Sequence, residues 1–75
     1  MNAVSSSKTL GRLIREERKS QGLTQEELAG LAGVGVRFVR ELEHGKESCQ
    51  IGLALQVTST LGLRVSVYDR SGPER

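Results

Sequence analysis

Apolar residues recur every three or four positions along most of the chain, with polar residues between them. This spacing is typical of helices that bury one face, so it predicts a mostly α fold. The predicted helices span residues 9–21, 24–32, 35–44 and 52–61. Each is followed by a glycine, the residue that most readily adopts the left-handed conformation in which helices end. These glycines are Gly22, Gly33, Gly45 and Gly62.

The start of the second helix carries the strongest local signal. Glu27 stands three residues after Thr24, which is the spacing of a capping box. Thr9 is the expected cap of the first helix, and Gly30 weakens the second by about 1 kcal/mol relative to alanine. The residues expected to face the core are Leu10, Leu13, Ile14, Leu28, Ala32, Phe38, Val39, Leu42, Leu53, Leu55, Val57 and Leu61.

The segment after the fourth helix changes period. Residues 63–68 alternate apolar and polar side chains and are rich in β-branched residues, which predicts a strand built on Leu63, Val65, Val67 and Tyr68. A lone strand leaves backbone groups unpaired, and residues 2–5 are only a weak second strand. We therefore expect the same strand of a second copy to be the partner, which gives a two-fold homodimer.

These elements divide the chain into four parts. We expect a flexible N-terminal arm over residues 1–8 and one helical domain over residues 9–62. A dimerising strand follows over residues 63–70, and a flexible tail over residues 71–75.

Composition narrows the class of protein. The 75 residues are 36% apolar and 27% charged, with a net charge of +2, which is typical of one small globular domain. No apolar run approaches the roughly 18 residues of a membrane span, and no secretory signal is recognisable. We therefore expect a cytoplasmic protein with no membrane association. The mildly basic charge does not by itself indicate a nucleic-acid partner.

The reactive side chains are few. The single cysteine, Cys49, cannot form an internal disulfide, and the single histidine, His44, cannot complete a metal site with it. A Cys–His nucleophilic pair is the catalytic alternative, but the sequence offers no candidate residue to orient the pair. We expect no enzyme activity, no metal and no cofactor.

Two short helices joined by a glycine-containing turn form a helix-turn-helix. A helix about 10–12 Å across fits the major groove of DNA, where the base pairs present distinguishable edges. The third helix, with its polar outer face, would enter that groove.

The stretch LTQEELAGLAGVGVRFVRELEHGK, residues 23–46, resembles the helix-turn-helix of the Cro and phage-repressor type, the XRE family. Four features fall at the family's positions together: Leu23-Thr24-Gln25, Leu28-Ala29, Gly33-Val34 and the ending Glu43-x-Gly45. The similarity covers residues 10–63. It implies a lambda-repressor-like bundle of four to five helices, and the appended strand makes the chain most similar to HipB-type antitoxins, in which such a strand pairs across a dimer.

The resemblance implies roles for individual side chains. The expected base-reading residues are Val36, Arg37, Arg40 and Glu41. Arginine suits the guanine edge and valine the thymine methyl, although a merely solvated helix face is the alternative for the charged residues. The expected phosphate contacts are Thr24, Gln25, Gly35 and Lys46, with pure capping and simple solvation as the alternatives for Thr24 and Lys46. Arg18 and Glu43 are expected to form a structural ion pair.

The sequence departs from the family pattern in three places, the third being a fourth helix weakened by Gly52, Thr58 and Ser59. Gly35 replaces the commoner Ser or Thr before the reading helix, which costs only a few tenths of a kcal/mol. Leu31 stands where a polar residue is usual, so it is either an exposed anchor for a partner or an ordinary surface leucine.

The leading hypothesis is a dimeric transcriptional repressor that binds a pseudo-palindromic operator in double-stranded DNA. The resemblance to HipB implies an antitoxin that represses its own operon and binds a HipA-like kinase toxin. One alternative is a phage- or plasmid-type regulator without a toxin. The other is a protein-interaction module on the same fold, which uses the strand and Leu31 to dock on a partner.

Overall fold

The computed structural model describes residues 3–70 of the chain. This part contains four helices in the predicted order: α1 (Ser7–Ser20), α2 (Gln25–Ala32), α3 (Val36–Glu43) and α4 (Ile51–Thr60). The mostly α architecture is therefore confirmed. The predicted tail, residues 71–75, and the beginning of the weak strand at residues 2–5 lie outside the described residues.

The first helix begins earlier than predicted. Its cap is Ser6, whose Oγ accepts a hydrogen bond from the Thr9 backbone N–H at 3.1 Å. Thr9 therefore lies in the first turn rather than at the cap, and its hydroxyl accepts from Ser6 Oγ. Ser and Thr are both favourable N-cap residues, and a run of serines precedes Thr9. The sequence alone therefore did not distinguish Ser6 from Thr9 as the cap.

The turn between α2 and α3 is built by local interactions. Thr24 Oγ1 accepts from the Glu27 N–H at 3.0 Å, and Glu27 Oε1 accepts from the Thr24 N–H at 2.8 Å, so the capping box is confirmed. At the other end Gly33 takes a left-handed conformation with φ of 72°. Its N–H and that of Val34 both donate to the carbonyl of Ala29, which ends α2 and redirects the chain into α3.

All four helices contribute to one core. Ile14, Leu28, Val39 and Val57, one from each helix, have no measurable solvent exposure. The surrounding core residues are Ala29, Ala32, Leu42, Ala54 and Leu61. Leu55 was expected in this set, but it is 41% exposed. Ala54, Val57, Thr58 and Leu61 instead form the inward face of α4, because they follow one another at helical spacing while Leu55 lies off it.

A close approach of α1 to the end of α3 fixes the position of the third helix. A Cβ atom at Gly11 would collide with the backbone carbonyls of Leu42 and Glu43, the Glu43 oxygen being 2.8 Å away. At Gly45, with φ of 81°, a Cβ would stand 2.7 Å from the Cα of Lys8. The two glycines therefore let the N-terminal half of α1 lie directly on the C-terminal end of α3.

The expected strand is not formed within residues 3–70, the described part of the chain. Residues 63–68 belong to no helix or strand. Leu63 packs against the core, whereas Val65, Val67 and Tyr68 are 56%, 93% and 43% exposed. The alternating pattern predicted a strand, but a strand needs backbone hydrogen bonds to a second strand, and residues 63–68 form no such pairing within residues 3–70.

Candidate nucleic-acid interface

The outer face of α3 is polar and projects into solvent at its N-terminal end. Val39 and Leu42 anchor the opposite face in the core. The Arg37 side chain is 84% exposed and Arg40 is also exposed. The helix therefore presents two guanidinium groups one turn apart on its free side, both among the predicted base-reading residues.

The side chain of Val36 lies partly in the core and partly at the surface. Val36 is the first residue of α3, it is half-buried, and it packs against the core cluster. Part of its apolar surface therefore already belongs to the fold. The remainder is exposed at the start of the helix, next to Arg37 in the chain.

Glu41, the fourth predicted base-reading residue, is paired with two cationic side chains. Its Oε2 accepts from Arg37 Nε at 3.4 Å and its Oε1 lies 3.3 Å from Lys46 Nζ. The ammonium of Lys46 and, less strongly, the guanidinium of Arg37 lower the pKa of Glu41 below its ordinary value, so the carboxylate stays ionised at neutral pH. The Glu41 carboxylate therefore joins Arg37, a predicted base-reading residue, to Lys46, a predicted phosphate contact.

The N-terminus of α2 brings together other predicted phosphate contacts. Thr24 is engaged in its capping box, while the side-chain amide of Gln25 donates to Glu43 Oε1 at 3.1 Å. The first turn of a helix leaves N–H groups without a helical acceptor and carries partial positive charge, which attracts anions. The Gln25–Glu43 hydrogen bond ties the Gln25 side chain to the end of α3.

Arg18 and Glu43 form a buried pair next to Gln25, at the start of α2. Arg18 Nε and Nη2 donate to the two oxygens of Glu43 at 2.6 and 3.0 Å, and Nη1 donates to the Leu23 carbonyl at 2.7 Å. The side chains are 9% and 2% exposed. The hydrogen bonds to Glu43 outweigh the desolvation of the guanidinium and raise the pKa of Arg18. One buried network therefore links α1, the start of α2 and the end of α3.

The remaining singled-out residues lie around this face. Gly35 caps α3 without a side-chain hydrogen bond and is exposed, so its backbone is open to a ligand. The Lys46 side chain is 48% exposed in the loop after α3. Leu31, on α2, is 66% exposed.

The candidate catalytic side chains, His44 and Cys49, share no hydrogen bond within residues 3–70. Nδ1 of His44 lies 2.8 Å from the Arg40 carbonyl, and since that oxygen only accepts, Nδ1 is the donor. Cys49 is half-buried against the core. Within residues 3–70 no three His, Cys, Asp or Glu side chains gather where a metal ion would bind. The helices of the same region are too short or too polar to cross a membrane.

A second surface lies on the side formed by α1, α4 and the C-terminal segment. A groove of about 650 Å³ runs between these elements. Its apolar lining consists of Val4, Leu10, Leu13, Ile51, Leu55, Leu63, Val65 and Val67. Ile51 is 69% exposed, so much of this apolar surface is uncovered in the single chain.

The turn, the anchored third helix and the shared core define a helix-turn-helix domain. The family model described as "Helix-turn-helix" matches residues 14–67, so the chain belongs to the helix-turn-helix family. The match begins within α1 and extends beyond α4.

Two sequence relatives carry related names. The chain is 53% identical over 58 residues to the uncharacterized HTH-type transcriptional regulator y4mF of Sinorhizobium fredii (strain NBRC 101917 / NGR234), an alignment that covers 77% of this chain and 76% of the relative. It is 48% identical over 50 residues to an uncharacterized HTH-type transcriptional regulator of Methanothermobacter thermautotrophicus, covering 67% of this chain and 72% of that protein.

Solved structures of HipB share the fold. The chain superposes on HipB from a structure of a HipA-HipB-O2-O3 complex with a TM-score of 0.84 at 20% identity, covering 93% of this chain and 99% of the other. A HipB-O4 20mer complex gives the same values. The predicted resemblance to the XRE family and to HipB is thereby confirmed at the level of family and fold.

Proposed function

We propose that the protein is a sequence-specific DNA-binding transcriptional repressor. The observation that carries this proposal is the exposed N-terminal end of α3, where Arg37 projects from a helix whose other face is locked into the core. A helix presented in this way fits the major groove. The names of the two sequence relatives support regulation of transcription as the task.

Within this proposal the side chains divide their work. Arg37 reads a guanine through its guanidinium fork, Val36 contacts a thymine methyl, and Arg40 reaches a base or the backbone one turn later. The backbone contacts come from Thr24, Gln25, Gly35 and Lys46. The Gln25 amide keeps one donor for a phosphate, because a carboxamide carries two and only one is used on Glu43.

The proposed repressor acts as a homodimer. The groove beside α1 and α4 and the exposed side chains of Val65 and Val67 form a continuous apolar surface. An intermolecular ribbon through residues 63–68 would cover that surface and give this segment its hydrogen-bond partners. Two reading helices related by a two-fold axis then meet successive major grooves about 34 Å apart on a pseudo-palindromic operator.

The more specific form of the proposal is an antitoxin that represses its own operon. HipB is part of a HipA-HipB-O2-O3 complex, and its fold covers 93% of this chain. A kinase-like toxin of the HipA type is the corresponding partner here. A toxin-like reading frame beside this gene supports the antitoxin, and its absence favours the phage- or plasmid-type regulator.

Gel-shift titration on fragments of the DNA upstream of the gene, repeated at several salt concentrations, tests the proposal. Binding through several phosphates lowers affinity with a log–log slope of about −0.9 per phosphate neutralised. A scrambled fragment of equal length is the control for specificity. No binding, or a flat salt profile, would refute the repressor and leave the protein-interaction module, to which the exposed Leu31 and the apolar groove would then belong.

A further inference from the structure

Glu41 lies between two residues to which the proposed function gives different tasks. Arg37 faces the base edges, and Lys46 lies beyond the C-terminal end of the same helix as a phosphate contact. The two oxygens of the carboxylate are divided between them, at 3.4 Å from Arg37 Nε and 3.3 Å from Lys46 Nζ. Only 31% of the Glu41 side chain is exposed, whereas 84% of the Arg37 side chain is.

The geometry leaves the reading end of Arg37 free. The guanidinium donates to Glu41 through Nε, so both Nη groups remain available for a bidentate contact. A free arginine side chain populates many rotamers, and ordering it at a base edge costs conformational entropy. A side chain already held at Nε loses less of that entropy on binding DNA.

Lys46 keeps the carboxylate in place. A lone glutamate beside DNA would repel the phosphates, and it would also be free to turn away from Arg37. The Lys46 ammonium engages the second oxygen of the Glu41 carboxylate. It therefore offsets the negative charge of Glu41 locally and restricts the rotamer of that side chain. Lys46 retains donors for a phosphate, since an ammonium has three.

We propose that Glu41 is a specificity-determining positioning residue, which orients Arg37 for the operator and is itself held by Lys46, rather than a residue that reads a base. This inference rests on the proposed function. Its consequence is that removal of the carboxylate has opposite effects on two kinds of binding. Affinity for unrelated DNA rises, because a negative charge is lost, while the preference for the operator over unrelated DNA falls.

The variant Glu41→Gln tests the inference, with affinities measured on operator and scrambled fragments at one salt concentration. Glu47→Gln is the matched control, because it removes the same charge one residue from Lys46. Glu47 is exposed and forms no salt bridge within residues 3–70. We expect the operator preference of Glu41→Gln to fall about twofold per reading helix, the size of an exposed ion pair, and hence about fourfold for a dimer.

A double-mutant cycle separates positioning from simple charge removal. Arg37→Ala should reduce operator preference less in the Glu41→Gln background than in the parent, because the arginine is no longer held. Additive effects, or equal changes of preference in Glu41→Gln and Glu47→Gln, would overturn the inference while leaving the repressor intact. Failure of the parent protein to bind any operator fragment would instead refute the proposed function, and this inference with it.

Discussion

Arg18 and Glu43 join the first helix to the end of the third through two hydrogen bonds of 2.6 and 3.0 Å between buried side chains. Glu43 also accepts from Gln25 at the start of α2. The pair therefore sets the position of the reading helix relative to the helix that precedes the turn. It is also the most vulnerable electrostatic feature of the core, because each charge is tolerable only while the other is present.

Replacing Arg18 with alanine should destabilise the protein by about 3–5 kcal/mol, since the Glu43 carboxylate would stay buried without its partner. Urea unfolding followed by far-UV circular dichroism at one fixed protein concentration measures this. Arg12→Ala is the control, because its 3.0 Å pair with Glu16 is exposed and contributes about 0.3–0.5 kcal/mol. Equal losses in the two variants would contradict the role of the buried pair.

A close backbone approach gives the second prediction. Gly11→Ala should destabilise the domain even though alanine is the better helix former, because its Cβ would collide with the carbonyls of Leu42 and Glu43. Gly30→Ala should stabilise it by about 1 kcal/mol, since a Cβ there would meet nothing within 4 Å beyond its own stretch of helix. Thermal unfolding of the two variants is the measurement. A stabilising Gly11→Ala would mean that α1 is free to move away from α3.

Features of the fold that depend on neighbouring residues could be predicted from the sequence, whereas contacts between distant helices could not. The capping box of Thr24 and the turn at Gly33 were predicted because their determinants lie within a few residues. The packing of Gly11 on α3 and the Gln25–Glu43 hydrogen bond were missed, since both depend on how distant helices meet. The predicted inward position of Leu55 was wrong for a related reason: its apolar character alone did not say which face of α4 meets the core, and it lies on the groove side.

The third prediction concerns the proposed reading contact. Arg37→Ala should weaken operator binding by about 1–3 kcal/mol and change the melting temperature little, because the side chain is 84% exposed and its pair with Glu41 is a surface pair. Gel shift on operator and scrambled fragments measures the effect. Arg12→Ala again serves as the control, since it removes an equal charge from α1. An unchanged operator affinity would remove Arg37 from the reading surface.

The proposed ribbon gives a fourth prediction. Val65→Pro or Val67→Pro should shift the protein toward monomer, because proline removes a backbone donor that the intermolecular ladder needs. The control is Val67→Thr, which keeps the N–H and the β-branched shape. Sedimentation velocity over a range of concentrations distinguishes the species. A proline variant that still forms a full-strength dimer would show that another surface, such as the groove along α1 and α4, is sufficient.

The Glu41 carboxylate gives a prediction that needs no DNA. Lys46 and Arg37 lower its pKa below the ordinary 4.5. The stabilisation from these contacts is therefore fully present above about pH 4.5 and is lost as pH falls through the lower, folded-state pKa. An NMR titration of the Glu41 side-chain carboxyl carbon measures that value directly.

Lys46→Gln should raise the Glu41 pKa toward 4.5 by more than Arg37→Ala does, because Lys46 is the larger cause of its depression. Arg12→Ala is the control and should leave the Glu41 pKa unchanged, since Arg12 pairs with Glu16 on α1 and not with Glu41. If Lys46→Gln left the Glu41 titration unchanged, the ammonium would not be holding the carboxylate. Arg37 would then be paired with a glutamate that is free to turn away, and the ordering of the reading side chain before it meets DNA would have no support in solution.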